Sequence, residues 1–207
     1  VPQYDYQNWH LLAGIGLGIY GGVMVLLFTA IMATTDRLFT RLNIPTVPLA
    51  MLGGLTFGLL GFMLPLTNFT GTDQLASILA HSGSIGIGLL AATTLGKMFA
   101  VAVCSSTGFI GGKIFPVLFI GGAAGLVIHL AIPEIPLALA FTCVLAAVPG
   151  AAGGAPFSLI LITVLLTQIG TIQTSPVVIA VATSYVSVTA FKHWASRWRA
   201  QALDTKQ

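Results

Sequence analysis

The chain has 207 residues, of which 56% are hydrophobic and 6% charged, with a formal net charge of +3. Soluble domains carry about 25% charged residues. A chain this poor in charge cannot coat a globule with solvated side chains, which sets aside a soluble domain and points to a membrane protein with a mean hydropathy of +0.98. Two clusters stand out among its few charges, one between Asp36 and Arg41 and one at Lys192, Arg197, Arg199 and Lys206. By the positive-inside rule both places read as cytoplasmic. A basic tail suits an anionic lipid surface, and four charges beside an apolar core argue against nucleic-acid binding.

The chain opens Val1-Pro2-Gln3-Tyr4, without Met or a basic n-region, and is expected to be part of a longer protein and not to carry a signal peptide. A first apolar segment, uncharged from Leu11 to Thr34, is long enough to span with tilt. Its glycines between Gly14 and Gly22 read as a helix-packing face. Asp36–Leu42 reads as an amphipathic turn or two at the interface, closed by Asn43-Ile44-Pro45. A second segment covers Val47–Leu66, ending at Pro65, with packing glycines near 53–61; Thr67–Asp73 is polar and turn-like. Leu75–His81 is expected to be a short helix at or dipping into the membrane edge. A third long segment, Gly83–Cys104, is interrupted only by Lys97.

After a glycine-rich break at 105–112, Ile114–Ile132 is apolar up to Pro133-Glu134-Ile135-Pro136. Three shorter pieces follow, Leu137–Val148, Phe157–Ile169 and Pro176–Phe191, the first two separated by a small-residue break, Pro149–Pro156. Short apolar segments interrupted by Gly and Pro mark the discontinuous helices of transporters and channels. The expected organisation is one membrane domain over residues 1–191 and a basic cytoplasmic tail over 192–207, with Trp194 and Trp198 as interfacial anchors.

The break carries the chemistry. In Cys104-Ser105-Ser106-Thr107-Gly108-Phe109-Ile110-Gly111-Gly112-Lys113-Ile114-Phe115-Pro116 one segment ends and another begins, with a lysine between. Unwound backbone in a bilayer must line a cavity or be covered by protein, because lipid cannot satisfy its amides. A helix start at that depth offers free N–H groups and a partial positive charge to an anion. The alternative is a Gly/Pro helix corner with no ligand. Ser105 and Ser106 are secondary candidates, since hydroxyls near helix ends commonly bond backbone carbonyls instead. Lys97 is expected either to sit at the interface or to meet a partner outside this chain. His129 reads as a packed histidine, His10 and His81 as interfacial, and Cys104 and Cys143 as small buried apolar residues. No Gly-x-Ser-x-Gly or His-Glu-x-x-His pattern is present, so no enzyme activity, cofactor or metal is expected.

These pieces, taken in order, resemble the second half of the CLC family of chloride channels and proton/chloride antiporters. The matching stretches are Cys104-Ser105-Ser106 with Gly111-Gly112-Lys113-Ile114-Phe115-Pro116 and Phe119–Gly125; Ala146–Pro156 leading into Leu159–Thr167; and Leu52–Phe62 with Pro65. The resemblance covers most of residues 11–191. It implies an all-α, inverted-repeat membrane fold with broken and re-entrant half-helices, of which this chain is the C-terminal half. It also implies movement of a small anion, with chloride the leading choice, by a channel or a proton-coupled antiporter in the cell membrane, specifically a bacterial inner membrane. Gly112, Lys113, Ile114 and Phe115 would hold the anion, largely through backbone amides. A homodimer with a pathway in each subunit is implied, with residues near 158–191 at the interface. An inverted-repeat transporter of another ion or small solute is the alternative.

Two departures stand out. Ile114 takes the place of the family's phenylalanine, with Phe115 one position later, and Lys113 stands where the family is usually apolar. The family's gating glutamate and central-site serine, which belong to its first half, have no counterpart here, and Tyr185 falls too early to match its C-terminal pore tyrosine. The resemblance therefore implies a partner for this chain: either the missing N-terminal half of the same protein or, for a half-sized protein, a separate partner chain.

Overall fold

Helix contact in this chain is set by where a side chain is missing. The computed structural model describes residues 1–2, 4–68, 72–80 and 85–204. Among them run eight α-helices: α1 (Trp9–Arg41), α2 (Thr46–Met63), α3 (Thr72–Ala80), α4 (Ile87–Ser106), α5 (Ile114–Ala131), α6 (Leu137–Gly153), α7 (Pro156–Thr167) and α8 (Thr174–Asp204). A single 3-10 turn, Pro65–Thr67, follows α2. Five helices, α1, α2, α4, α5 and α8, are long and apolar enough to cross a membrane, and α6 and α7 are shorter apolar helices. At about 1.5 Å per residue α7 is about 18 Å long, well short of a hydrocarbon core of about 30 Å.

The core is α6 wrapped by α5, α1 and α8. Every residue of α6 from Ala138 to Ala151 is buried, as is α5 from Val117 to Leu126. Backbones meet where glycine leaves room: a Cβ at Gly125 of α5 would lie 2.6 Å from Ala140 O of α6, and one at Gly14 of α1 would lie 2.8 Å from Pro176 O of α8. Small residues are the means of close packing where lipid supplies no hydrophobic drive between helices. Ser184 of α8 adds a cross-helix bond, its Oγ donating to Ala147 O at 3.2 Å.

Several boundaries differ from those read in the sequence. Asp36–Arg41 continues α1 as helix and makes no separate turn. Pro149-Gly150-Ala151-Ala152-Gly153 is the last part of α6, not a break. Pro149 leaves Leu145 O without its usual i+4 amide, yet the helix runs on to Gly153, and Gly121 of α5 packs against this point; a Cβ there would be 2.7 Å from Val144 O and 3.2 Å from Leu145 O. The turn comes one residue later, at Gly154, whose φ of 67° is the left-handed conformation that ends helices. α8 extends well beyond Pro176–Phe191, and crosses 191/192 without interruption.

The expected short helix is present as α3, but His81 and residues 69–71 of the polar turn Thr67–Asp73 lie outside the described residues, as do the side chain of Trp198 and residue Lys206. Trp194 is exposed. His10 is buried beneath the rings of Tyr4, Tyr6 and Trp9 and its Nδ1 accepts from Gln7 N at 3.1 Å, so it is not a solvent-facing residue. His129 is the packed, satisfied histidine expected, with Nδ1 2.8 Å from Ile135 O. Cys143 sits in the core and Cys104 is half-buried, both as free thiols.

Candidate functional site

α4 stops because its last turn is capped from within. Thr107 N bonds Val103 O at 3.0 Å, Gly108 takes φ 89°, and Phe109 N folds back to Cys104 O at 3.0 Å. This αL cap satisfies carbonyls that the helix end would otherwise leave free. Residues 109–112 then carry no helix or strand, and α5 begins at Ile114 with Lys113 as its N-cap, φ −88° and ψ −14°, and no side-chain capping bond. The first intrahelical bond runs from Val117 N to Lys113 O at 3.1 Å. Pro116 has no N–H, so the first-turn amides without an intrahelical acceptor are those of Ile114 and Phe115, with those of Gly112 and Lys113 just before them.

This start is open while the helix behind it is closed. Gly108 to Phe115 are all exposed, with Ile114 at 55%, and Val117 onward is buried. Three cavities meet the start of α5. One, about 200 Å³, is lined by Gly111, Gly112, Lys113, Ser105, Cys104 and Lys97, among others. A second, about 250 Å³, lies on the opposite side of Lys113 and is lined by Ile114, Phe28, Pro149, Ala152 and Ala155. The third, about 290 Å³, takes Phe115 together with Leu75 and Leu79 of α3 and Phe141 of α6. Ser105, Gly112 and Lys113 are therefore brought together, Ile114 and Phe115 face two further cavities, and Ser106 is half-buried beside the group without lining its cavity. Successive residues of a helix turn by about 100°, which separates Ile114 from Phe115.

Lys97 is bonded within the chain. It is 2% exposed, and its Nζ donates to Thr67 O at 2.8 Å and Asn68 O at 3.4 Å. Those carbonyls end the 3-10 turn after α2, where the helix-end partial charge is negative and a cation is welcome. The Nζ also lies 5.3 Å from the Phe119 ring centroid of α5. The one sequence signal for this role was a lone charge in the middle of an apolar segment.

Five membrane-length apolar helices, two of them flanking a lysine-bearing helix break, define an integral, multi-pass membrane protein. The chain belongs to the voltage gated chloride channel family, whose model matches residues 1–189. It is 36% identical over 108 residues to proteins described as putative ion-transport protein YfeO from Salmonella newport (strain SL254) and Salmonella agona (strain SL483). That match covers 52% of this chain and 26% of each relative. A solved structure, the X-ray crystal structure of a slow cyanobacterial Cl-/H+ antiporter, shares the fold with a TM-score of 0.74 at 23% identity, over 90% of this chain and 45% of that one. The chain thus corresponds to about half or less of these proteins' length.

Proposed function

We propose that this chain is the C-terminal half of a transporter or channel moving a small anion, chloride first, with its part of the anion site at the start of α5. The observation that carries this reading is a lysine placed at the wrong end of a helix. A cation at the N-terminus of α5 opposes the helix dipole, a cost of about 0.3–1 kcal/mol at an exposed helix end. An anion bound among the amides of Lys113, Ile114 and Phe115 removes that conflict and gains from both the dipole and the ammonium. The exposure of residues 108–115 fits a site completed by a further part of the protein. Family membership and the names of the similar proteins, ion-transport protein and Cl-/H+ antiporter, agree with anion movement.

The same reading makes the functional unit a homodimer in a bacterial inner membrane. Phe157, Leu161 and Leu165 of α7 and Val186 of α8 are exposed apolar side chains within the stretch that this reading places at the dimer interface. Residues 192–207 form the cytoplasmic end of α8 and the basic tail.

The full-length protein carrying this chain, reconstituted in chloride-loaded liposomes, tests the reading. Chloride efflux recorded with a chloride electrode is the expected result, and the external pH recorded alongside separates proton-coupled from passive movement. Liposomes loaded in turn with chloride, nitrate and fluoride that release none of them would overturn it.

A further inference from the structure

We infer that the apolar cavity beside Lys113, between α1, α5, α6 and α7, binds a single-chain anionic amphiphile of the fatty-acid type, which competes there with the transported anion. The competition, though not the binding, rests on the functional reading above. The cavity, about 250 Å³, has a floor and a mouth of opposite character. On its floor Phe28 of α1, Val117 of α5 and Leu159 of α7 are at most 7% exposed, and Pro149 of α6 is buried with them. At its mouth Lys113, Ile114 and Ala152 are exposed.

Sites for small molecules are apolar concavities with a few placed polar groups. Among the described residues Lys113 is the one charged group lining this cavity. The lysine makes no capping bond, and no carboxylate among the described residues lines either of the cavities it borders. An ammonium with no acid beside it, at the mouth of an apolar slot, is complementary to a ligand with an anionic head and an apolar tail. The Ile114 amide, which has no intrahelical acceptor, is available to the same head. Size decides the tail. Pockets for drug-sized ligands start at about 300 Å³, so a cavity of about 250 Å³ seats one short chain and not the two of a phospholipid.

Decanesulfonate is the probe, because a sulfonate keeps its charge at every working pH and carries no protons across a bilayer. Its binding to the full-length protein in nanodiscs of neutral lipid, corrected with empty nanodiscs, is measured alongside its inhibition of chloride efflux from liposomes. Ala152→Leu fills the cavity from its wall and leaves Lys113 and the amides of the site as they are. Each methylene that loses its seat costs roughly fourfold in affinity, so binding and inhibition are expected to weaken roughly tenfold or more, with chloride efflux in the absence of the probe at the wild-type rate. Decanol and methanesulfonate, which carry only the tail or only the head, are expected to bind roughly tenfold more weakly than decanesulfonate. Lys113→Gln is expected to bring decanesulfonate down to the level of decanol, so the test does not depend on Ala152→Leu folding. Decanol bound as tightly as decanesulfonate, or wild-type binding of decanesulfonate in either variant, would overturn the inference while the anion reading stood. Displacement of the probe by phosphatidylglycerol in the bilayer, after the same correction, would overturn the single-chain occupant. A protein that binds the probe in this cavity and moves no chloride would overturn the functional reading and the competition, and leave the binding site in place.

Discussion

Gly125→Ala asks whether backbone contact between α5 and α6 holds the site in place. The new Cβ would lie 2.6 Å from Ala140 O and 2.9 Å from Phe141 Cα, both backbone atoms that no rotamer change can move aside. Ordinary contact starts at 3.4 Å, so the helices must part by 3.4 − 2.6 = 0.8 Å at this point. A gap of about 0.5–1 Å forfeits a quarter to a half of the dispersion well of each atom pair it opens. Overpacking of this kind costs about 1–3 kcal/mol, against which alanine returns up to about 1 kcal/mol of helix propensity. A net loss of about 1–2 kcal/mol follows, a fall of about 4 °C in the unfolding midpoint for a domain of this size. Scanning fluorimetry of the detergent-solubilised full-length protein measures it. Gly16→Ala in α1 is the control, because its Cβ meets nothing within 4 Å. A Gly125→Ala midpoint equal to wild type, or an equal fall in Gly16→Ala, would refute the reasoning.

Three further outcomes are expected. Lys113→Ile removes a cation from the positive end of α5, so the anion-free protein should be more stable by about 0.3–1 kcal/mol, while added chloride raises its midpoint less than it raises that of wild type. Gln168 is exposed and caps α7 at φ 51°; glycine takes that conformation without the Cβ penalty, so Gln168→Gly should gain about 1 kcal/mol in the same assay. Burial pushes the Tyr4 phenol above its usual value, first through lost hydration and then through Cys143 and Tyr6. A raised folded-state value means the folded chain holds this proton more tightly. Stability from this group is complete below the unfolded value of about 10 and drains away as pH rises beyond it. Tyr4→Phe should flatten that alkaline loss in a pH series of midpoints.

Long uncharged runs were legible because lipid leaves backbone amides no alternative to helix, and the pause between Cys104 and Ile114 was legible because glycine at Gly108, Gly111 and Gly112 makes helix costly there. Pro149 misled for a tertiary reason: its local sequence says break, whereas the helix continues through it with the glycine face of α5 packed alongside. The onward run of α8 had a local signal, since Lys192, Ala195, Arg197 and Ala200 are sound helix formers, but the apolar pattern that marked the span ended at Phe191. Lys97 is the opposite case. Its bonds reach carbonyls some thirty positions back, and no pattern along the chain records where a distant helix end will stop. The partition of Gly112, Lys113 and Ser105 from Ile114 and Phe115 needed the helix start to be placed to the residue.

Bromide anomalous scattering from crystals of the full-length protein soaked in bromide tests the anion site most directly. A peak within about 3.5 Å of the Lys113 and Ile114 amide nitrogens, at the mouth of the cavity that Lys97 lines, is the predicted result. Bromide bound elsewhere in a protein that transports it, with no density at the start of α5, would contradict it.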